Sequence, residues 1–336
     1  MKIILYKILL SLVILALASI CGVGWFFFDK FKTPGTINAP KIVAIPKGFG
    51  TMQIGEILAR ENVISNNMVF AVAAKILPPP QSLKAGEYEF TPGITMREVI
   101  EKLKKGDVYK RNFTIAEGLT SYEIVQKLSQ IPELKPVTEG AEIPAEGSLL
   151  PQTYQYVGGE TIDQKIAQMR ESMTKILDKE WAGRADNLPF KTKEEAVILA
   201  SIVEKETGVA AERQRIAGVF INRLRQNIPL QSDPTIIYAL TKGQPENKGQ
   251  GPLGRRLLSK DLEISSPYNT YKMPGLPPGP ICNPGAEAIH AALHPEQHAY
   301  IYFVADGSGG HVFATTLSEH NRNVENWRDL RRNNKK

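Results

Sequence analysis

Apolar and polar positions divide the chain into a continuous hydrophobic run, a series of short apolar stretches that end in glycine, and a long second half with helical spacing. The run from Ile8 to Phe28 carries no charge over 21 residues. As a helix it would be about 31 Å long, which matches a bilayer core. It is long for a cleaved signal peptide, ends in Trp25-Phe26-Phe27-Phe28 where cleavage would need small residues, and has no small residue before Cys21 to suggest a lipoprotein signal. The pattern therefore predicts a retained anchor over residues 1–30. Lys2, Lys7 and the amino terminus, set against Asp29, Lys30 and Lys32, favour a cytoplasmic N-terminus with the bulk of the chain outside.

Beyond the anchor, Val43-Ala-Ile-Pro-Lys-Gly48, Tyr88-Glu-Phe-Thr-Pro-Gly93 and Phe113-Thr-Ile-Ala-Glu-Gly118 repeat one pattern without gaps. Six positions after each glycine stands an aliphatic residue (Ile54, Val99, Ile124), and ten positions after it a leucine (Leu58, Leu103, Leu128). A short strand, a glycine turn and an amphipathic helix form the unit. Units this small must pack together, so residues 40–130 are expected to form one small α+β region, with Pro78-Pro79-Pro80 as a loop inside it. Residues 131–160 are rich in Pro, Gly and Glu and read as a linker entering a second domain over 146–330. There the spacing predicts helices over 162–180, 193–207 and 211–226, and another opened by Ser232-Asp233-Pro234. Pro274 to Gly285 holds five prolines and three glycines and must be an extended loop. Residues 300–304 and 311–315 read as a β-hairpin. The expected class is α+β: an N-terminal membrane helix, a small α+β module, and a mainly helical domain with a C-terminal hairpin.

Within the helix over 193–207, every residue from Ala196 to Val203 except Ser201 is apolar, and two carboxylates and a glycine follow: Glu204-Lys205-Glu206-Thr207-Gly208. A buried helix seldom ends that way for packing alone. Gly208 is placed for a left-handed cap, and the negative end of the helix dipole disfavours an ionised carboxylate in the last turn. An ordinary glutamate, with a pKa of about 4.3, is protonated in roughly one molecule in 500 at pH 7, and a lift of about 2 units makes that nearer one in six. That difference makes a usable general acid. Glu204 and Glu206 lie about 200° apart on a helix, so only one can face a given pocket, and periodicity does not say which.

With 336 residues, 42% of them hydrophobic, the chain can bury real cores in two or three domains. Without residues 1–30 its net charge of +6 becomes +4, too mild for a nucleic-acid partner despite the basic tail from Arg328 to Lys336. The two cysteines, Cys21 and Cys282, build no disulfide framework. All five histidines lie between 290 and 320. His290, His294 and His298 have helical spacing, but Pro295 should end that helix and no zinc motif surrounds them, so no metal or cofactor is expected. Ser201 lacks nucleophile-elbow glycines and Cys282 sits in a proline-rich loop, which argues against acyl-transfer chemistry. Polar and aromatic residues are dense at Gln231, Ser232, Asp233 and Tyr238, and at Tyr268, Asn269 and Tyr271, a mixture suited to carbohydrate, whose rings stack on aromatic faces and whose hydroxyls meet amides and carboxylates.

Glu146-Gly-Ser-Leu-Leu-Pro-Gln-Thr-Tyr, Ala200-Ser-Ile-Val-Glu-Lys-Glu-Thr, Val219-Phe-Ile-Asn-Arg-Leu, Leu230-Gln-Ser-Asp-Pro-Thr, Tyr268-Asn-Thr-Tyr, Gly275-Leu-Pro-Pro-Gly and Tyr302-Phe-Val-Ala-Asp, in this order behind an anchor and a repeat module, resemble the endolytic murein transglycosylase (YceG-like) family. The resemblance covers nearly the whole chain. It implies a single-pass anchor in the cytoplasmic membrane, a LysM-like module outside it, and a catalytic domain that cuts nascent peptidoglycan and ends glycan strand elongation, with cell-wall synthases as partners. It also implies that Glu206 is the catalytic glutamate. Gln152 departs from the family pattern, which commonly has aspartate there, so an acid-base role for that position is not expected. Lytic cleavage needs one acid-base group and leaves a 1,6-anhydro end. A hydrolytic muramidase would need a second carboxylate, for which Asp233 and Glu212 are the candidates. A non-catalytic wall-binding scaffold for synthases would need neither.

Overall fold

A computed structural model of the chain describes residues 2–244 and 253–333. The last three positions of the basic tail lie outside the described residues. The described chain divides into two units, residues 1–111 with 155–158, and residues 112–154 with 159–336.

The first unit opens with α1 (Lys2–Lys32), within which Leu9–Lys32 is a 24-residue span long and apolar enough to cross a membrane. Then follow β1 (Lys41–Ile45), α2 (Thr51–Arg60), α3 (Asn67–Ile76), β2 (Gly86–Phe90) and α4 (Met96–Lys105). β1 and β2 pair antiparallel, with Val43 opposite Tyr88 and Ala44 opposite Glu87. Alternation therefore puts Val43, Ile45, Tyr88 and Phe90 on one face, where all four are buried. The repeat explains what covers them. Gly48 and Gly93 have φ of 84° and 81°, a left-handed turn open to glycine without strain, and three residues later α2 and α4 begin. Ile54, Leu58, Val99 and Leu103 then project into the core at 2% exposure or less. α3 is inserted between the two copies, and Phe27 and Phe31 from the end of α1 pack against the same core.

The third copy belongs elsewhere. β3 (Arg111–Thr114), Gly118 at φ 75° and α5 (Ser121–Ser129) have the same local geometry, yet the division falls at residue 111 and α5 packs with the second unit. Local sequence sets the strand–turn–helix, while the neighbours of Ile124 and Leu128 are set by the rest of the chain. The stretch 131–160, expected as a linker, is irregular up to residue 152 and then holds a strand, and it is packed: Leu134, Leu149 and Leu150 are buried.

The division passes through β4 (Thr153–Tyr156), and the second unit continues with α6 (Ile162–Ala182), α7 (Lys193–Glu206), α8 (Arg213–Arg225), α9 (Asp233–Thr241), α10 (Ala286–Leu293), the antiparallel hairpin β5 (Tyr302–Ala305) and β6 (His311–Ala314), and α11 (Leu317–Asn333). The four expected helices and the hairpin are present, and 274–285 is free of helix and strand. α11 goes beyond the expected C-terminal hairpin. Its start is written in Thr316-Leu-Ser-Glu319, where Thr316 Oγ1 accepts the Glu319 N–H and Glu319 Oε2 accepts the Thr316 N–H, a reciprocal cap. α7 runs through the core, with every residue from Ala196 to Val203 buried between α8 and α10.

Candidate active site

Thr192 and Glu195 cap the start of α7 reciprocally, and eight buried residues carry the helix to its end at Glu206. The expected left-handed glycine cap is not used. Thr207 ends the helix with φ −142° and ψ 134°, an extended conformation that suits a β-branched residue, and its Oγ1 accepts the Val209 N–H at 2.9 Å.

Geometry separates the two glutamates. Glu204 Oε2 accepts the Gly285 N–H at 2.9 Å, and its Oε1 lies 4.0 Å from the Arg213 guanidinium. Its carboxylate is a fastener between α7, the proline-rich loop and α8, and burial pushes its pKa up. Glu206 faces α9. Its Oε1 accepts the Ser232 hydroxyl at 2.5 Å, and among the described residues no group hydrogen-bonds Oε2. The residue as a whole keeps part of its surface, but its carboxyl end is densely surrounded, and desolvation raises its pKa to about 7. The Ser232 hydroxyl opposes that rise, the nearby Asp233 charge adds to it, and His311 and Arg223 pull against it more weakly.

Ser232 makes this contact at a local expense. It stands at the N-cap of α9, where a serine ordinarily accepts a backbone N–H of the first turn, and it makes no such bond. Its side chain turns to Glu206, and Asp233 and Pro234 form the helix start in its place. The residue before it, Gln231, sits at φ 54°, a left-handed conformation that strains a non-glycine residue. Arg223 holds that turn. Its Nε donates to Ile301 O at 2.7 Å, and its Nη1 to Pro229 O, Leu230 O and Gln231 Oε1 at 3.0–3.1 Å. Thr270 supports it from the other side, its carbonyl accepting the Gln231 N–H and its Oγ1 the Ser232 N–H. Asp233 Oδ1 accepts the Tyr271 hydroxyl at 2.5 Å, and burial, then this hydrogen bond and the Asp233 charge, raise the Tyr271 pKa.

The structure thus brings Ser232, Asp233 and Tyr271 together around Glu206, with Gln231 beside Ser232 on Arg223. It places the other expected ligands elsewhere. Tyr238 and Tyr268 lie against each other with their rings tilted by 49° and centroids 4.9 Å apart, beside Glu146. Glu146 Oε1 accepts the Ser121 N–H at 2.8 Å and an Asn283 Nδ2–H at 3.0 Å, and burial raises its pKa to about 7. Glu146 is a third carboxyl of raised pKa, but one of its oxygens already has two donors. Asn269 is 1% exposed, and its amide donates to Leu262 O and Ile264 O. It braces the loop that carries Tyr271 and has no surface for a ligand.

Of the candidate second carboxylates, Asp233 is held by Tyr271, and Glu212 Oε2 lies 2.7 Å from His311 Nδ1. Ser201 Oγ donates to Ile198 O and accepts the Ile281 N–H in the core. Cys282 is wholly buried, with its thiol pKa pushed well up. Both are packing residues. Arg223 is not among the candidates read from the sequence, although its place between Ile221 and Leu224 on the apolar face of α8 signals a buried cation with partners to satisfy.

The YceG-like family model matches residues 43–326. The endolytic murein transglycosylase of Bacillus subtilis is 33% identical, with 88% of this chain aligned to 85% of that protein. The protein of the same name from Streptococcus pneumoniae strain D39 is 31% identical over 93% of this chain, which spans only 63% of its length. The crystal structure of a putative YceG-like protein of Listeria monocytogenes superposes with a TM-score of 0.52 at 32% identity, covering 84% of this chain and 98% of that one.

Proposed function

We propose that this chain, which belongs to the YceG-like family, is a membrane-anchored endolytic transglycosylase whose general acid and base is Glu206. The observation that carries the reading is a helix-terminal carboxyl with a pKa of about 7 and one oxygen without a partner among the described residues. Protonated Glu206 gives its proton to the oxygen linking N-acetylmuramic acid to N-acetylglucosamine as the C1–O bond breaks. The resulting carboxylate then takes the proton of the muramoyl C6 hydroxyl as that oxygen bonds to C1, and a 1,6-anhydro ring closes the strand end. The proton returns to Glu206, so no second acid is needed. That both candidate second carboxylates are engaged, Asp233 by Tyr271 and Glu212 by His311, favours this route over hydrolysis, which needs a free carboxylate to activate water. Gln231, Ser232, Asp233 and Tyr271 are the positions from which polar groups and a ring edge meet the sugar.

Uncrosslinked glycan strands incubated with the purified chain and analysed by mass spectrometry test the proposal. It expects new ends lighter than hydrolysis products by one water. Reducing ends would make the protein a muramidase, and uncut strands a scaffold.

In this reading α1 crosses the cytoplasmic membrane with its N-terminus inside, and cutting strands as they are made terminates their elongation beside the synthases. The strand–turn–helix pairs of the first unit act as the LysM-like wall-binding module. Removing residues 40–108 behind a flexible linker should then lower binding to insoluble wall material in a pelleting assay while short glycans are still cut. Undiminished pelleting would reduce the module to a spacer.

A further inference from the structure

His290 and His294 stand one turn apart at the end of α10, with their rings stacked and centroids 4.4 Å apart. Glu180, in the last turn of α6, meets both. Its Oε2 lies 2.7 Å from His290 Nδ1 and 3.4 Å from His294 Nε2. Two imidazole nitrogens and a carboxylate oxygen therefore lie within 4.8 Å of one another, the one group with metal-ligand composition among the described residues. None of the three takes part in the chemistry proposed for Glu206.

We propose that Glu180, His290 and His294 form a binding site for a divalent transition-metal ion of the Zn²⁺ class, with the fourth coordination position open to water. Zinc bonds of about 2.0–2.2 Å to nitrogen and oxygen place tetrahedral donors about 3.3 Å apart. The His294–Glu180 separation already matches, His290 has to withdraw from Glu180 by about half an ångström, and the two imidazole nitrogens, within 4.8 Å of each other, settle to the same spacing. It can do so, since its side chain is 44% exposed, whereas Glu180 is 11% and His294 26% exposed.

The frame behind the ligands is stiff. Ala288, Ile289, Ala291, Ala292 and Leu293 are all buried, the His294 N–H donates to His290 O, and the His294 carbonyl accepts Gln214 Nε2 at 2.9 Å. A simple ion pair would use one histidine. A second imidazole aimed at the same carboxylate oxygen from 3.4 Å, too long for a good hydrogen bond, is what a shared cation requires. The donor set of two imidazoles and a carboxylate suits Zn²⁺, Co²⁺ or Ni²⁺ better than Mg²⁺ or Ca²⁺, which prefer oxygen. Pro295 does not prevent the site, as the helix expectation had it, because His294 already caps α10 and the third ligand comes from α6. His298 is outside it, with Nε2 on Arg215 O and Nδ1 accepting the Tyr300 N–H.

The test uses the untagged full chain in detergent, freed of metal with a chelator and titrated with Zn²⁺ and Co²⁺. One equivalent of Zn²⁺ should bind with micromolar or tighter affinity, Co²⁺ should develop visible ligand-field absorption, and Mg²⁺ should do neither. At a hundredfold excess of Zn²⁺ over the Kd, the thermal midpoint should rise by about 5 °C. His290→Gln and His294→Gln should each weaken binding at least tenfold, and His298→Gln should leave it unchanged. Protection of His290 and His294 from diethyl pyrocarbonate by Zn²⁺ in the unaltered chain gives a readout that depends on no variant's folding. Absence of saturable binding, full binding in the His290→Gln/His294→Gln chain, or unprotected histidines under saturating Zn²⁺ overturns the proposal.

Discussion

Replacing Glu206 by glutamine is expected to lower turnover on glycan strands by about 10²–10⁴-fold, the range of a lost general acid-base group, while the chain stays folded. The amide has the size of the protonated acid and can still accept the Ser232 hydroxyl, so packing is retained and only proton exchange is lost. Glu204→Gln keeps an acceptor for the Gly285 N–H and should stay within about tenfold of full activity, since acid-base exchange at Glu206 is untouched. If the two variants behave in the opposite way, the acid is Glu204. The same substitution should read out in stability. With a pKa of about 7 in the fold against an ordinary 4.5, Glu206 favours the folded state fully below pH 4.5, and that contribution is lost as pH rises through 7. The glutamine chain should therefore match the unaltered one near pH 4 and exceed it above pH 7, by no more than about 3 kcal/mol. Turnover of the unaltered chain should fall above about pH 7, where the resting carboxyl has lost its proton. Unfolding curves and rates across pH 4–9 check both signs.

Arg223→Met should have the larger structural effect. Methionine fills the channel of the arginine stem but strips donors from the carbonyls of Pro229, Leu230 and Ile301 and from Gln231 Oε1. Removing one partner from a buried charged network costs about 3–5 kcal/mol, enough to lower a denaturation midpoint markedly. Burial pulls the Arg223 pKa down, yet a guanidinium keeps its charge, so Glu206 also loses a positive neighbour. With the donors gone, Gln231 has little to hold it at φ 54°, and relaxation of that turn moves Ser232 away from Glu206. Activity should fall even at temperatures where the chain remains folded. Arg223→Lys should recover only part of the loss, because one ammonium cannot serve four acceptors held in the planes of a fork. Chemical unfolding followed by tryptophan fluorescence, with strand cleavage measured below the transition, separates the two losses.

Much of this arrangement is written locally, and the parts that are not share one cause. The apolar run to Val203 and its terminal carboxylates announce a buried helix with polar business at its end, and the structure puts Glu206 there. Ser232-Asp233-Pro234 announces a helix start, which α9 provides, but a serine at an N-cap gives no sign that its hydroxyl will leave the cap for a carboxylate on another helix. That departure from local preference is the mark of a site where tertiary demands prevail. Periodicity could not choose between Glu204 and Glu206 because the choice depends on Gly285 and Ser232, far away in sequence. Asn269 and Tyr271 belong to one short motif and looked alike, yet one is a buried brace and the other reaches Asp233. His290 and His294 were visible as a pair, whereas Glu180 was one of many helical glutamates until α6 and α10 were packed together.

The third repeat copy bears on how the chain can be divided. By sequence, residues 113–130 are kin to the two strand–turn–helix elements before them; by packing, they hold up the helical unit. Ser121 gives its N–H to Glu146 and its hydroxyl accepts from Asn283, and Thr120 Oγ1 donates to the Gly243 carbonyl. Kinship along the chain and membership in a folding unit are thus different partitions of the same residues. A copy that keeps the turn and helix of the repeat while packing on other neighbours is constrained by those neighbours on the face they touch. Its buried Ile124 and Leu128 keep the positions of the repeat and answer to a different core. An excision guided by the repeat would cut after residue 130 and remove a wall of the unit it meant to isolate, whereas one guided by packing would cut before Asn112.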